Sequence, residues 1–220
     1  EMSASLVGSE MCIRDRRICR AGIIAALYVA LTYAFAPVAF GVFQIRPGEA
    51  LTLLPLFFPE AIPALYVGCL LANLASPFLL YDLTIGPLAT LAAAVCTYLI
   101  GVALRKYTGK GAAALKVGLG GIFPILFNAF VIPAVIVFLC SEGADATIAV
   151  YWTTFASFLL TETVWVIGLG TPLYAFVSGM RKKGVSAFTD SKKKTAHTLP
   201  SETQESPAEP APPLSQQNKP

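Results

Sequence analysis

A succession of apolar runs, each closed by a short turn carrying charge or proline, leaves this chain few ways to fold. Ile18–Phe40, Leu83–Leu104, Val117–Cys140 and Thr147–Val177 are each long enough, at about 1.5 Å per helical residue, to cross a hydrocarbon core of about 30 Å. In lipid a spanning segment must satisfy its backbone polar groups internally, and runs of this length do so as helices. Composition agrees. Charged residues make up 13% of the 220, against about 25% in a soluble domain, and mean hydropathy is +0.67. The net charge of +3 is small and gathers at segment ends, which argues against a nucleic-acid partner. The expected fold class is an all-α integral membrane protein.

Basic residues set the expected topology. Arg17 and Arg20 lie at the start of the first run, Arg105, Lys106, Lys110 and Lys116 follow the fourth, and Arg181 to Lys183 follow the last. Between the first and fourth lie two shorter runs, Ala50–Phe58 and Ala61–Ala75, separated by Pro59-Glu60. Pro55, Pro59 and Pro63 argue against a single helix there. If the stretch crosses twice, all three basic clusters fall on the cytoplasmic side, as the positive-inside rule requires. Six transmembrane segments with both termini cytoplasmic are therefore expected. The second, at nine residues, reaches only about 14 Å as an α-helix. It must be tilted, extended into its loops or sheltered by neighbours.

The two ends differ from the middle. Residues 1–16, EMSASLVGSEMCIRDR, are read as a non-native leader resembling adapter read-through, so the membrane domain is taken as 17–180. The polar, proline-rich residues 181–220 are expected to form a disordered cytoplasmic tail. Cys19, Cys69, Cys96 and Cys140 lie in or beside apolar runs without metal-ligand or disulfide spacing, so no metal and no cofactor are expected. The only histidine, His197, lies in the tail, which removes the usual general base and argues against an enzyme. GLGG at 118–121 lacks a following GK[ST] and is not a phosphate loop. Gly118, Gly120, Gly121, Gly168 and Gly170 are instead expected at close helix contacts.

Glu162 is the sharpest candidate for chemistry. It stands well inside the last run, where an ionised carboxylate costs about 2.5–3.5 kcal/mol on insertion scales. Helical spacing puts Phe155, Phe158, Glu162 and Trp165 on one face, suited to a flat ring that donates N–H groups. The plainer reading is a structural carboxyl bonded to a neighbouring helix. Glu49 follows Pro47-Gly48 at the outer side, either as a ligand contact or as an acid favoured by the helix dipole. Glu60 has the same plain reading at the inner side, where a partner could dock. Asn128, mid-span in the fifth run, and Asn73 can pair with a purine-like edge or bond helices together. Arg46 is expected at the outer headgroup level or beside Glu49. Ala21, Ala25, Ala26 and Ala30 form small-residue pairs at four-residue spacing, open to close helix approach either within the protein or by a partner.

The run IRPGEALTLLPLFFPEAIPALYVGCLLAN, followed by IGPLATLAAAVCTYL, resembles the QueT family of substrate-capture (S) components of energy-coupling-factor (ECF) transporters. That resemblance implies a six-helix S-component bundle in a bacterial cytoplasmic membrane. It implies uptake of a queuosine precursor, a 7-deazaguanine such as 7-aminomethyl-7-deazaguanine or queuine. It also implies partnership with a transmembrane coupling subunit, met by the alanine face, and with two ATPase subunits. Glu162 and Glu49 are the expected acceptors for the ring N–H groups and the aminomethyl cation. The departure from the family pattern is ASPFLLYD at 75–82, where a glycine-rich outer loop is expected. The alternatives are an S component for another vitamin-like ligand and a non-transporting membrane scaffold.

Overall fold

The computed structural model describes residues 2–39, 45–76, 79–140, 147–185 and 187–188, with the side chains of 2–13, 38–39 and 110 outside that description. Ser191–Pro220 forms a separate unit that lies wholly outside the described residues. So do Glu142 and Asp145 of the acidic loop and most of the expected tail.

Every described element is helical. In order they are α1 (Met2–Ala34), α2 (Ala36–Ala39), a 3-10 helix (Pro47–Leu56), α3 (Ala61–Ala72), α4 (Leu79–Ala103), α5 (Lys110–Ala134), α6 (Ile148–Thr163) and α7 (Gly170–Lys182). A short 3-10 turn, Asn73–Ala75, ends α3, and wider π-helical stretches, Val135–Cys140 and Val164–Leu169, follow α5 and α6. Among the described residues four helical stretches are long and apolar enough to cross a membrane: Arg14–Ala34, Leu79–Ala103, Gly111–Cys140 and Ile148–Lys182. Ala61–Ala75 is a shorter apolar helix.

The outer surface and the interior are inverted relative to a soluble protein. Large apolar side chains such as Leu80, Ile23 and Leu160 face outward, whereas Arg46, Glu49, Asn73, Asp82, Asn128 and Glu162 are buried. An apolar exterior of this extent is stable against lipid.

The expected short second segment is a 3-10 helix rather than an α-helix. Proline permits this form. Pro47 opens the element, while Pro55 inside it has no N–H for a ladder bond. Thr52 Oγ1 donates to the Glu49 carbonyl at 2.5 Å, a link matching the three-residue step. At about 2 Å per residue the ten residues reach about 20 Å, more than the α-helical estimate. Pro47 to Pro55 are all buried. The element packs on α1, α3, α4, α5 and α7, so neighbours on every side shelter it.

Close approaches fix this central post. A Cβ on Gly101 would lie 2.9 Å from Leu56 Cα and Leu56 O, so α4 touches the post backbone to backbone. A Cβ on Gly170 would meet Leu53 Cδ1 at 2.6 Å, and Gly120 and Gly121 likewise pack tightly. Gly118 and Gly168 do not, for nothing lies within 4 Å of a Cβ built on either. Their helix faces point away from the bundle. The alanine pairs also divide. Ala21 and Ala25 pack inward, where the Ala25 backbone lies 3.2 Å from a Cβ placed on Gly68 of α3, while Ala26 and Ala30 are exposed.

One end of the bundle collects cations. Arg20 pairs with Glu60 at 2.7 Å and lies 4.6 Å from the Phe58 ring centroid. Arg181 Nη1 donates to the Phe57 carbonyl at 3.1 Å. The turn after the central helix thus sits with the start of the first span and the end of the last. Helix α7 continues through Lys182, and Phe188 packs against Phe58 with ring centroids 6.3 Å apart, so ordered contacts continue beyond residue 181.

Candidate functional site

Four elements converge on two carboxylates. Gly48 makes the first approach possible, because a Cβ there would crowd Tyr28 O and Thr32 Oγ1 at 3.3 Å. With Gly48 against α1, Tyr28 Oη donates to Glu49 Oε1 at 2.5 Å, and both side chains are about 1% exposed. From α5, Asn128 Nδ2 donates to Glu162 Oε1 of α6 at 3.3 Å. Asn128 also lies near Glu49, so one amide stands beside both acids. Glu162 lies within electrostatic reach of both Glu49 and Arg46.

Arg46 is buried, at 6% exposure, within electrostatic reach of Glu49 and Asp82, whose charges lower the cost of its own. A second polar knot adjoins it. Asn73 Nδ2 donates to the Asp82 carbonyl at 2.7 Å, and Ser76 Oγ donates to Asp82 Oδ2. These bonds join the end of α3 to the start of α4 within the stretch that departs from the family pattern, of which residues 77–78 lie outside the described set.

The satisfied bonds do not exhaust the acids. Glu49 Oε2, Glu162 Oε2 and Asn73 Oδ1 are buried with no hydrogen-bond partner among the described residues. An unsatisfied buried acceptor costs about 1–3 kcal/mol, more when charged. Three in one region are poor scaffolding and good ligand acceptors. The arrangement favours a molecule that brings several N–H donors and positive charge.

Of the residues expected at a site, Glu49, Asn128 and Glu162 come together. Phe158 is 1% exposed and packs against Ala129 and Ile132 one turn from Glu162, while Trp165 is half-buried in the wider turn that follows. Phe155 stacks toward Phe130 with centroids 4.7 Å apart. Glu60 belongs elsewhere, in its ion pair with Arg20. Tyr28 and Asp82 were not anticipated. Their signals are a tyrosine in register with Ile24 and Thr32 on one helical face, and an acid opening an apolar run. Among the described residues no group of three or more His, Cys, Asp or Glu could hold a metal ion.

A helical bundle with an apolar exterior and a buried, partly satisfied polar cluster has the build of an integral membrane protein. The QueT transporter family matches residues 18–179, which is most of the chain, and the protein belongs to that family. A role in membrane transport follows. Comparison with the curated proteins gives no match, and neither does comparison with the solved structures.

Proposed function

We propose that the protein is the substrate-capturing subunit of an ECF-type importer and that it binds a queuosine precursor of the 7-deazaguanine class. The observation that carries this reading is the pair of buried carboxylates, each with one oxygen held by a neutral donor and the other without a partner. A deazaguanine presents adjacent N–H donors along one edge, which Glu162 can accept, and an aminomethyl cation, which Glu49 can pair with. Asn128 supplies an amide beside the ring edge, Phe158 backs the wall and Trp165 borders it. Arg46 keeps the two acids from repelling one another before the ligand arrives.

Six crossings suit this role, with the Pro47–Leu56 helix and Ala61–Ala75 as a pair that enters from the outer face and returns. The positive-inside rule then sets both termini in the cytoplasm of a bacterium. The chain has no phosphate loop, so energy comes from two ATPase subunits through a membrane coupling subunit. Ala26 and Ala30, exposed on α1, suit that contact; Ala21 and Ala25 position α1 on α3 behind them.

The test is thermal unfolding of purified protein with 7-aminomethyl-7-deazaguanine, queuine, guanine or riboflavin. A ligand at about 100 times its Kd adds about 2.7 kcal/mol of stability, so the deazaguanines should raise the midpoint and riboflavin should not. Absence of any selective shift overturns the substrate assignment. Co-purification without an ATPase complex overturns the ECF assignment and leaves a scaffold.

A further inference from the structure

At the opposite end of the central helix from Glu49, the bundle holds a cleft of about 510 Å³. This is within the range of about 300–1,000 Å³ typical of small-molecule sites. Arg105, Lys116, Arg181 and Lys182 line it, together with Phe57 and Tyr174, whose ring centroids lie 4.8 Å apart. Two of the cations are held in place by carbonyls. Arg181 Nη1 donates to Phe57 O at 3.1 Å, and Lys116 Nζ donates to Tyr107 O at 2.9 Å. Each keeps further N–H groups for another acceptor. None of the four is ion-paired with a carboxylate among the described residues.

Four like charges around one cleft repel one another, and an anion reverses the sign of that interaction. Two guanidiniums and two ammoniums match a phosphate group in particular, since arginine donates to its oxygens as a fork and lysine adds point charge. The location selects the source. Arg105 follows the end of α4, and Arg181 and Lys182 form the last turn of α7, so the cleft lies at the rim of the bundle where lipid headgroups sit. On α4, Val102 lines the cleft, and Val102, Leu99 and Val95 are exposed along one helical face leading away from it. That stripe offers an acyl chain a path that free phosphate does not need. We propose that the cleft is a binding site for the phosphate headgroup of an anionic phospholipid, with one acyl chain lying along α4. The site is independent of the carboxylate cluster and of the identity of the transported solute.

The experiment measures lipid binding to the full chain in detergent by native mass spectrometry and thermal unfolding. Probes are phosphatidylglycerol, phosphatidylcholine, glycerol phosphate and inorganic phosphate. Phosphatidylglycerol should raise the midpoint and remain bound in the gas phase, and phosphatidylcholine should do neither. The variant pair Arg105→Gln with Lys182→Gln changes two exposed side chains, so it should fold and should weaken phosphatidylglycerol by about tenfold or more. Lys106→Gln with Lys183→Gln removes the same charge outside the cleft and should retain binding. Equal weakening by both pairs overturns the proposal, because surface charge alone then explains the effect. So does a full shift by inorganic or glycerol phosphate at matched concentration, which would make this a soluble-anion site. Lack of response to every probe also overturns it. Should the double variant unfold, Arg105→Gln alone gives the same readout.

Discussion

Glu162→Gln separates binding from scaffolding at the scale of one atom. The amide oxygen still accepts from Asn128, but the charge is gone and the second acceptor becomes a donor. The ligand-free protein should unfold at the same temperature or higher, since one buried charge has been removed. Affinity for a deazaguanine should fall about 10- to 100-fold, the equivalent of the 1.5–3 kcal/mol carried by charged hydrogen bonds. Calorimetric titration checks the second expectation, and unchanged affinity would remove Glu162 from the site. Tyr28→Phe tests the other carboxylate. It takes away the 2.5 Å donor to Glu49 and leaves a buried acceptor short, so stability should drop by about 1–3 kcal/mol. A wild-type melting curve would show that the bond carries no stability. At this scale the sequence yields Glu49, Glu162 and Asn128, because polar groups within apolar runs stand out individually. It does not yield Tyr28 or the burial of Arg46. A tyrosine is ordinary in a span, and an arginine beside a proline turn reads as interfacial until the fold folds it inward.

The elements depend on backbone contacts that side-chain patterns only partly disclose. Gly101 and Gly118 look alike in sequence, each within a long apolar helix. In the structure a Cβ on Gly101 would lie 2.9 Å from the Leu56 backbone, whereas Gly118 faces open space. Gly101→Ala should therefore cost about 1–3 kcal/mol through overpacking, even though alanine is the better helix former. Gly118→Ala should be neutral, or stabilise by up to about 1 kcal/mol. Thermal unfolding of the two variants side by side checks this, and equal midpoints would mean that α4 does not rest on the central helix. The same logic explains what was legible at this level. Long helices follow from length and hydropathy, and their turns from proline and charge. The 3-10 form of Pro47–Leu56 does not, since nine or ten apolar residues between prolines are compatible with either helical step. Only the crowding of neighbours on all sides selects the longer, thinner one.

At the scale of the whole molecule, the turns that meet bear on its orientation. Arg20 reaches Glu60 and Phe58, Arg181 reaches Phe57, and Arg105 and Lys116 line the cleft with Phe57 and Pro59. The turn after the central helix therefore lies with the first, second and last basic clusters. Had the stretch from Pro47 to Ala75 crossed only once, this turn would be buried midway and the cations would be divided between two faces. The proposed double crossing would put them all in the cytoplasm. Single cysteines in a background with the native cysteines changed to serine test this in intact cells with a membrane-impermeant maleimide. Tyr107→Cys and Val185→Cys should label only after permeabilisation, and Thr147→Cys should label from outside. One crossing instead of two inverts all three results, because each position lies after the disputed pair. The reversal would also move the carboxylates' entrance. Glu49 lies at the start of the pair, Asn73 at its end and Asp82 just after it, and they share one end of the bundle only if the chain goes across and comes back.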